Sequence, residues 1–214
     1  MDAKLSKDEV RNTYRKFAAT YDLWGSPMES RARQRCLELA GIKAGESVLE
    51  VAVGTGILFE KILRSNPNGR NEGIDLTEEM LDRARTRARK SGVSGYVLQQ
   101  GDAYHLQYPD NSFDVILNNY MFDLIPERDF AGILGEFKRV LRTGGRIVMV
   151  NMTKGSRWFD VLWEWLYRLQ PSLLGGCRGV ELEPYLVDAG FEKVRREYVS
   201  QLCFPSEVIY GIKP

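Results

Sequence analysis

The sequence predicts a doubly wound α/β fold: one seven-stranded sheet, mostly parallel with one antiparallel strand, and helices on both faces. Two patterns predict it. Short β-branched runs alternate with helical periodicities, as in successive βαβ units. Glycine- or acid-bearing turns also close one run after another, at the edge where such sheets bind ligands.

The elements follow in order. From Lys7 to about Gly41, two helices are expected: Val10, Tyr14, Phe17, Ala18 and Tyr21 recur at helical spacing, a break falls at Gly25-Ser26-Pro27, and Gly41 closes the second. Ser47 to Val53 reads as the first strand and Ile57 to about Arg64 as a helix. Gly69 to Leu76 holds the second strand, and Thr77 caps a helix that Gly92 stops. Tyr96 to Gln100 and Phe113 to Asn118 are the third and fourth strands. Phe130 to Leu141 is a helix ended by Thr143-Gly144-Gly145, before a fifth strand from Arg146 to Met152. An aromatic helix from about Arg157 to Leu169 and a short one from about Leu182 to Ala189 come next. Strands near Lys193 to Ser200 and Glu207 to Ile212 close the chain as a hairpin-like pair around Pro205.

Bulk properties narrow the function. The 214 residues suit a single domain, 1–214, with 1–41 as an N-terminal helical cap over the binding cleft. Net charge is +1, so no global field draws the protein to nucleic acid or an anionic membrane. Cys36, Cys177 and Cys203 are far apart and odd in number, which disfavours a disulfide framework or a zinc site and suits a reducing compartment. No metal is expected. The first residues lack an apolar run, and no stretch approaches the ~18 apolar residues of a spanning helix, so a cytoplasmic protein is expected.

The chemistry concentrates at Glu50-Val51-Ala52-Val53-Gly54-Thr55-Gly56. Glycines at a strand-to-helix turn let backbone N–H groups approach a ligand, and the helix N-terminus favours anionic groups. A dinucleotide fingerprint would require glycine where Phe59 stands, which opposes an NAD-dependent oxidoreductase. Asp75 ends the second strand roughly 20 residues on, where an acid can accept both ribose hydroxyls. Gly101-Asp102-Ala103 follows the third strand and Asn118-Asn119 ends the fourth.

The acidic-x-Ala-x-Gly-x-Gly pattern resembles motif I of the class I S-adenosylmethionine (SAM) methyltransferases, with Ala52 in place of the usual first glycine. Alanine suits that turn only if its φ stays negative. Asp110-Asn111-Ser112-Phe113-Asp114 and the run from Phe137 to Arg146 are similar to the ubiquinone/menaquinone-biosynthesis C-methyltransferase group. A related branch methylates phosphatidylethanolamine. The resemblance implies a Rossmann-like sheet, SAM as cofactor, and a small or lipid-like acceptor. It implies cofactor contacts at Tyr21, Thr55, Asp75, Asp102, Ala103 and Asn119, with Met80 packing on the adenosine. Tyr14, Glu50, Ala52, Gly54, Gly56, Leu76 and Asn118 complete the candidate cofactor set.

SAM carries its own leaving group, so the protein mainly aligns donor and acceptor. His105, Asp123 and Tyr120 are the candidates near the acceptor, with His105 or Asp123 assisting deprotonation. Tyr120-Met121-Phe122-Asp123-Leu124 departs from the quinone enzymes' pattern after the fourth strand. Asn118-Asn119-Tyr120 also lacks the prolines usual for nucleobase methylation, so nucleic acid is not an expected partner. Trp158 to Leu169, with three of the four tryptophans, reads as core or lid packing, an apolar acceptor lining, or a peripheral membrane contact. The basic run Arg83 to Lys90 reads as a solvated face. A non-catalytic SAM-binding protein remains an alternative.

Overall fold

A computed structural model describes residues 21–153, 178–201 and 204–214, with side chains from Glu29 onward. In chain order its elements are α1 (Tyr21–Ala40), β1 (Ser47–Val51), α2 (Ile57–Ser65), β2 (Arg70–Asp75), α3 (Glu78–Arg89), β3 (Tyr96–Gln100) and β4 (Phe113–Asn119). Two short 3-10 turns follow, Phe122–Leu124 and Glu127–Asp129. Then come α4 (Phe130–Val140), β5 (Leu141–Met152), α5 (Glu183–Asp188), β6 (Glu192–Gln201) and β7 (Phe204–Ile212). Tyr14, the aromatic segment 157–169, Cys177 and Cys203 lie outside the described residues.

The seven described strands form one sheet in the order β3-β2-β1-β4-β5-β7-β6. β1 pairs in parallel with β2 and β4, and the strand order reverses direction there, which opens a crevice at the carboxyl ends. β7 runs antiparallel to both β5 and β6, as the expected hairpin-like pair around Pro205 requires.

Side chains alternate between two cores, as strand geometry dictates. Leu49, Val51, Ile116 and Met149 face Ile133, Phe137 and Leu186 from α4 and α5. Their neighbours Val48, Val115 and Val148 face the other way, against Cys36 of α1, Ile62 of α2 and Ala84 of α3. Each such fully buried aliphatic or aromatic side chain contributes about 1.5–3 kcal/mol.

Two local expectations are corrected. α1 runs unbroken through Gly25-Ser26-Pro27. Pro27 removes only the backbone bond to the Leu23 carbonyl, and the later turns dock Ala32, Cys36 and Ala40 in the core, which offsets that loss. Thr143-Gly144-Gly145 does not precede the fifth strand but lies within it. Phe113 pairs with Leu141 and Val115 with Arg146, so five residues of β5 advance against two of β4 in a bulge. Gly145 has no room for a Cβ, which would lie 2.7 Å from the Arg142 carbonyl oxygen.

The segments around Asp110–Asp114 and Arg139–Arg146 lock the amino ends of the strands. Arg142 holds both oxygens of Asp114 at 2.7 and 2.8 Å, and Asp114 accepts from the Ser47 N–H at 2.8 Å. Arg146 pairs with Glu46 at 2.7 Å. All of this lies at the sheet edge opposite the crevice.

Candidate active site

The crevice begins where β1 ends. Ala52 has φ 59°, Gly54 53° and Gly56 81°, so three of five consecutive residues are left-handed. The expectation of a negative φ at Ala52 is therefore corrected: the turn forces alanine into a region that costs an L-residue about 1–2 kcal/mol. The turn is held by Val53 N–H to the Ile74 carbonyl at 2.9 Å and Gly56 N–H to the Val53 carbonyl at 3.0 Å. It delivers the chain into α2, whose opening N–H groups face the crevice.

Phe59 lies in the first turn of α2 and is buried. A Cβ at Gly73 of β2 would sit 3.1 Å from its ring, and Tyr96 meets it edge-on at 5.9 Å. The glycine that permits close helix–strand approach thus sits on the strand here, and an aromatic ring fills the place a dinucleotide fingerprint keeps empty.

Asp75, at the end of β2, is 8% exposed. One carboxylate oxygen accepts from the Gly54 N–H at 2.8 Å; the other accepts from the Thr77 N–H and hydroxyl, both at 3.0 Å. Burial raises its pKa, with the Thr77 and Gly54 N–H groups pulling the other way. The Leu76 N–H also acts on this carboxylate, so most of its roughly four acceptor sites are engaged by the surrounding turn. Thr77 stands at the expected N-cap position of α3, yet its hydroxyl turns back to Asp75 instead of capping the helix. Leu76 is half-buried, its carbonyl bound by Gln100 at 2.9 Å, and Met80 is buried.

Glu50 is 2% exposed and faces α1. Its Oε2 has no hydrogen-bond partner among the described residues. Burial lifts its carboxyl well above the usual range, opposed by Arg33 and reinforced by Asp75. Arg33 itself forms a buried ion pair with Glu29 one turn away on α1. The i,i+4 spacing of Glu29 and Arg33 is the signal that sequence reading passed over.

After β3, Gly101 N–H donates to the Asp75 carbonyl at 2.9 Å, bringing the Asp102 loop beside β2. Asp102 accepts from the Tyr104 N–H at 3.1 Å, Ala103 is half-buried, and His105 is exposed. At the end of β4, Asn118 and Asn119 point to opposite faces. Asn118 donates to the Val51 carbonyl at 2.8 Å, and its Oδ1 is unpartnered among the described residues. Asn119 lies beside the buried Cys36 thiol.

Tyr120 is also left-handed, at φ 52°. Its N–H donates to the Val150 carbonyl at 2.6 Å, and its hydroxyl lies 2.9 Å from Ser206 Oγ. Burial raises the phenol pKa well above its ordinary value, and Glu29 adds to the effect. Asp123, in the first 3-10 turn, is fully buried, and its carbonyl accepts from the Arg178 N–H at 3.2 Å. Sequence reading did not single out Arg178, which is 3% exposed, lies 5.7 Å from the Phe130 ring centroid and ion-pairs with Glu127. Tyr21 lies in α1 near its start. Among the described residues no group of three His, Cys, Asp or Glu is arranged for a metal ion.

A buried carboxyl oxygen of Glu50 without a partner among the described residues, a glycine turn opening a helix and an acid ending the neighbouring strand fit a ligand carrying an ammonium, a carboxylate and a ribose. SAM has all three. A family model described as a methyltransferase domain matches residues 42–170, and the chain belongs to that family. Solved structures of similar fold include SAM-dependent methyltransferases.

Individual relatives narrow the comparison. The chain is 34% identical over 160 residues to the ubiquinone/menaquinone biosynthesis C-methyltransferase of Saccharophagus degradans, covering 72% of this chain and 64% of that protein. The chain thus spans under two thirds of that relative's length. It is 27% identical to the demethylmenaquinone methyltransferase of Listeria welshimeri over 98% of both chains. In fold it is similar to a SAM-dependent methyltransferase from Aquifex aeolicus, with a TM-score of 0.67, 21% identity, and coverage of 95% of this chain and 98% of that one. Among the described residues no helix is long and apolar enough to cross a membrane.

Proposed function

We propose that this protein methylates a carbon of a reduced quinone precursor. The observation that carries this reading is the similarity to a demethylmenaquinone methyltransferase across 98% of both chains. A ring carbon of the electron-rich acceptor attacks the SAM methyl group in line with the departing sulfur. The carbon–carbon bond forms as the carbon–sulfur bond breaks, S-adenosylhomocysteine leaves with the electron pair, and the ring carbon then loses its proton. Positioning of this kind can supply about 7–11 kcal/mol of barrier reduction.

Among the three candidates near the acceptor, His105 is exposed, whereas Asp123 and Tyr120 are buried. We assign proton removal to His105 and the shaping of the site floor to Asp123 and Tyr120. The cofactor contacts are Glu50, Ala52, Gly54, Thr55, Gly56, Asp75, Leu76, Met80, Asp102, Ala103, Asn118 and Asn119, with Tyr14 and Tyr21 from the N-terminal cap. The protein works in the cytoplasm and meets its lipid-borne acceptor at the membrane surface.

The test is transfer of labelled methyl groups from SAM to demethylmenaquinol or to phosphatidylethanolamine in vesicles. Label in the quinol alone supports the reading; label in phosphatidylethanolamine alone overturns it. His105→Ala should lower kcat by ~100-fold or more, the range of general-base contributions. An unchanged kcat removes His105 from the reaction.

A further inference from the structure

The basic run on α3 is not uniformly solvated. Arg85 is turned to Glu78 and Asp82 and reaches the Leu98 carbonyl of β3 at 3.3 Å. Arg87 is half-buried, and its Nε donates to the backbone carbonyl of Thr55 at 3.1 Å, inside the glycine turn. One turn earlier Ala84 closes on the same loop: a Cβ at Gly56 would lie 2.8 Å from the Ala84 Cα.

That carbonyl belongs to the Thr55–Gly56 peptide, whose N–H is bound to the Val53 carbonyl at 3.0 Å. A planar peptide gripped at both its C=O and its N–H cannot rotate. Rotation would otherwise be eased on one side, because Gly56 supplies the φ that follows it and glycine crosses between left- and right-handed regions at little cost. The N-cap position of the same helix is Thr77, which is bonded to Asp75. α3 thereby fixes both arms of the cofactor crevice: the acid through its first residues, the glycine turn through Arg87.

We propose that Arg87 is a positioning residue for SAM. By holding the Thr55 carbonyl away from the ligand, it keeps the turn in the conformation that presents the opening N–H groups of α2. The cofactor then binds a preformed loop and does not have to order one.

The test measures S-adenosylhomocysteine affinity by calorimetry, alongside the melting temperature of the ligand-free protein. Arg87→Met should weaken binding about 10-fold, as the loss of one charged hydrogen bond implies, with melting within about 2 °C of the parent. Arg87→Gln keeps a neutral donor and should recover affinity to within about threefold of the parent. Arg83→Met removes a neighbouring charge that makes no bond to the turn and should bind as the parent does. Parent-like affinity in Arg87→Met overturns the proposal. So does equal weakness in the Met and Gln variants, which would assign the effect to charge. A parallel fall in melting temperature with affinity in every Arg87 variant would reduce the residue to a structural brace. If Arg87→Met does not fold, Arg87→Glu replaces it as the polar variant without a donor, and equal affinities of the Glu and Gln variants overturn the proposal.

Discussion

The Asp75 carboxylate accepts a hydrogen bond from the Gly54 N–H at 2.8 Å, so the acid ending β2 holds the glycine turn that follows β1. With Thr77 on its other oxygen, Asp75 ties the glycine turn to the start of α3. Replacing it therefore removes more than one ligand contact. Asp75→Ala should weaken SAM binding by at least about 10- to 100-fold, the range expected from loss of a single charged hydrogen bond. Calorimetric titration with SAM checks this, and an affinity within twofold of the parent would show that the acid is dispensable.

Ala52 provides a stability test with an unusual sign. Its φ of 59° is strained for alanine and free for glycine. Relief of about 1–2 kcal/mol, set against the entropy cost of glycine, predicts that Ala52→Gly is more stable by about 0.5–1 kcal/mol. Urea unfolding reads it as a higher midpoint. A lower midpoint would mean that the alanine methyl, which packs against the α4-side core, outweighs the backbone strain.

Much of this site was legible in the sequence because each arm ends a strand and strands are readable from β-branched runs. Glu50, Asp75, Asp102 and Asn118 fall at successive carboxyl ends of β1 to β4 or just beyond them, as their order in the chain implies. What spacing could not convey was how polar groups are shared. Thr77 reads as a helix cap, but its hydroxyl serves Asp75; Arg87 reads as one charge in a solvated run, but its guanidinium reaches a loop 32 residues away. The continuity of α1 through Pro27 was hidden for a related reason: propensity is local, whereas the docking of Cys36 and Ala40 depends on strands much later in the chain.

Glu136 should make stability fall at acidic pH. The Arg139 guanidinium holds its carboxyl down to about 2 from an ordinary 4.5, against the cost of burial and with help from the Leu106 N–H. Because the folded-state value is depressed, the unfolded chain takes up the proton first. The contribution is fully present above the unfolded value and is lost as pH falls through the folded one. The parent should thus exceed Glu136→Gln in stability at pH 7, and the gap should narrow from about pH 4.5 to about pH 2. Urea unfolding at pH 7 and pH 3 measures it; a gap that widens on acidification contradicts the assignment.

Tyr120 lies beside the proposed acceptor region, yet its surroundings suit an anchor better than an acid or base. The phenol is buried, kept neutral by desolvation and by Glu29, and engaged with Ser206 at 2.9 Å. That bond ties the end of β4 to β7 across β5, and so fixes the position of Asn119 one residue earlier. Tyr120→Phe leaves the ring packed against Phe204 but strands the Ser206 hydroxyl, which is 1% exposed. An unsatisfied buried hydroxyl costs about 1–3 kcal/mol, so the variant should unfold at a lower urea concentration. Its pH–kcat profile should keep the parent's shape, because a phenol that never ionises in the working range contributes no limb to it. Loss of an alkaline limb in Tyr120→Phe, at undiminished stability, would make the hydroxyl a proton carrier and reverse its assignment as an anchor.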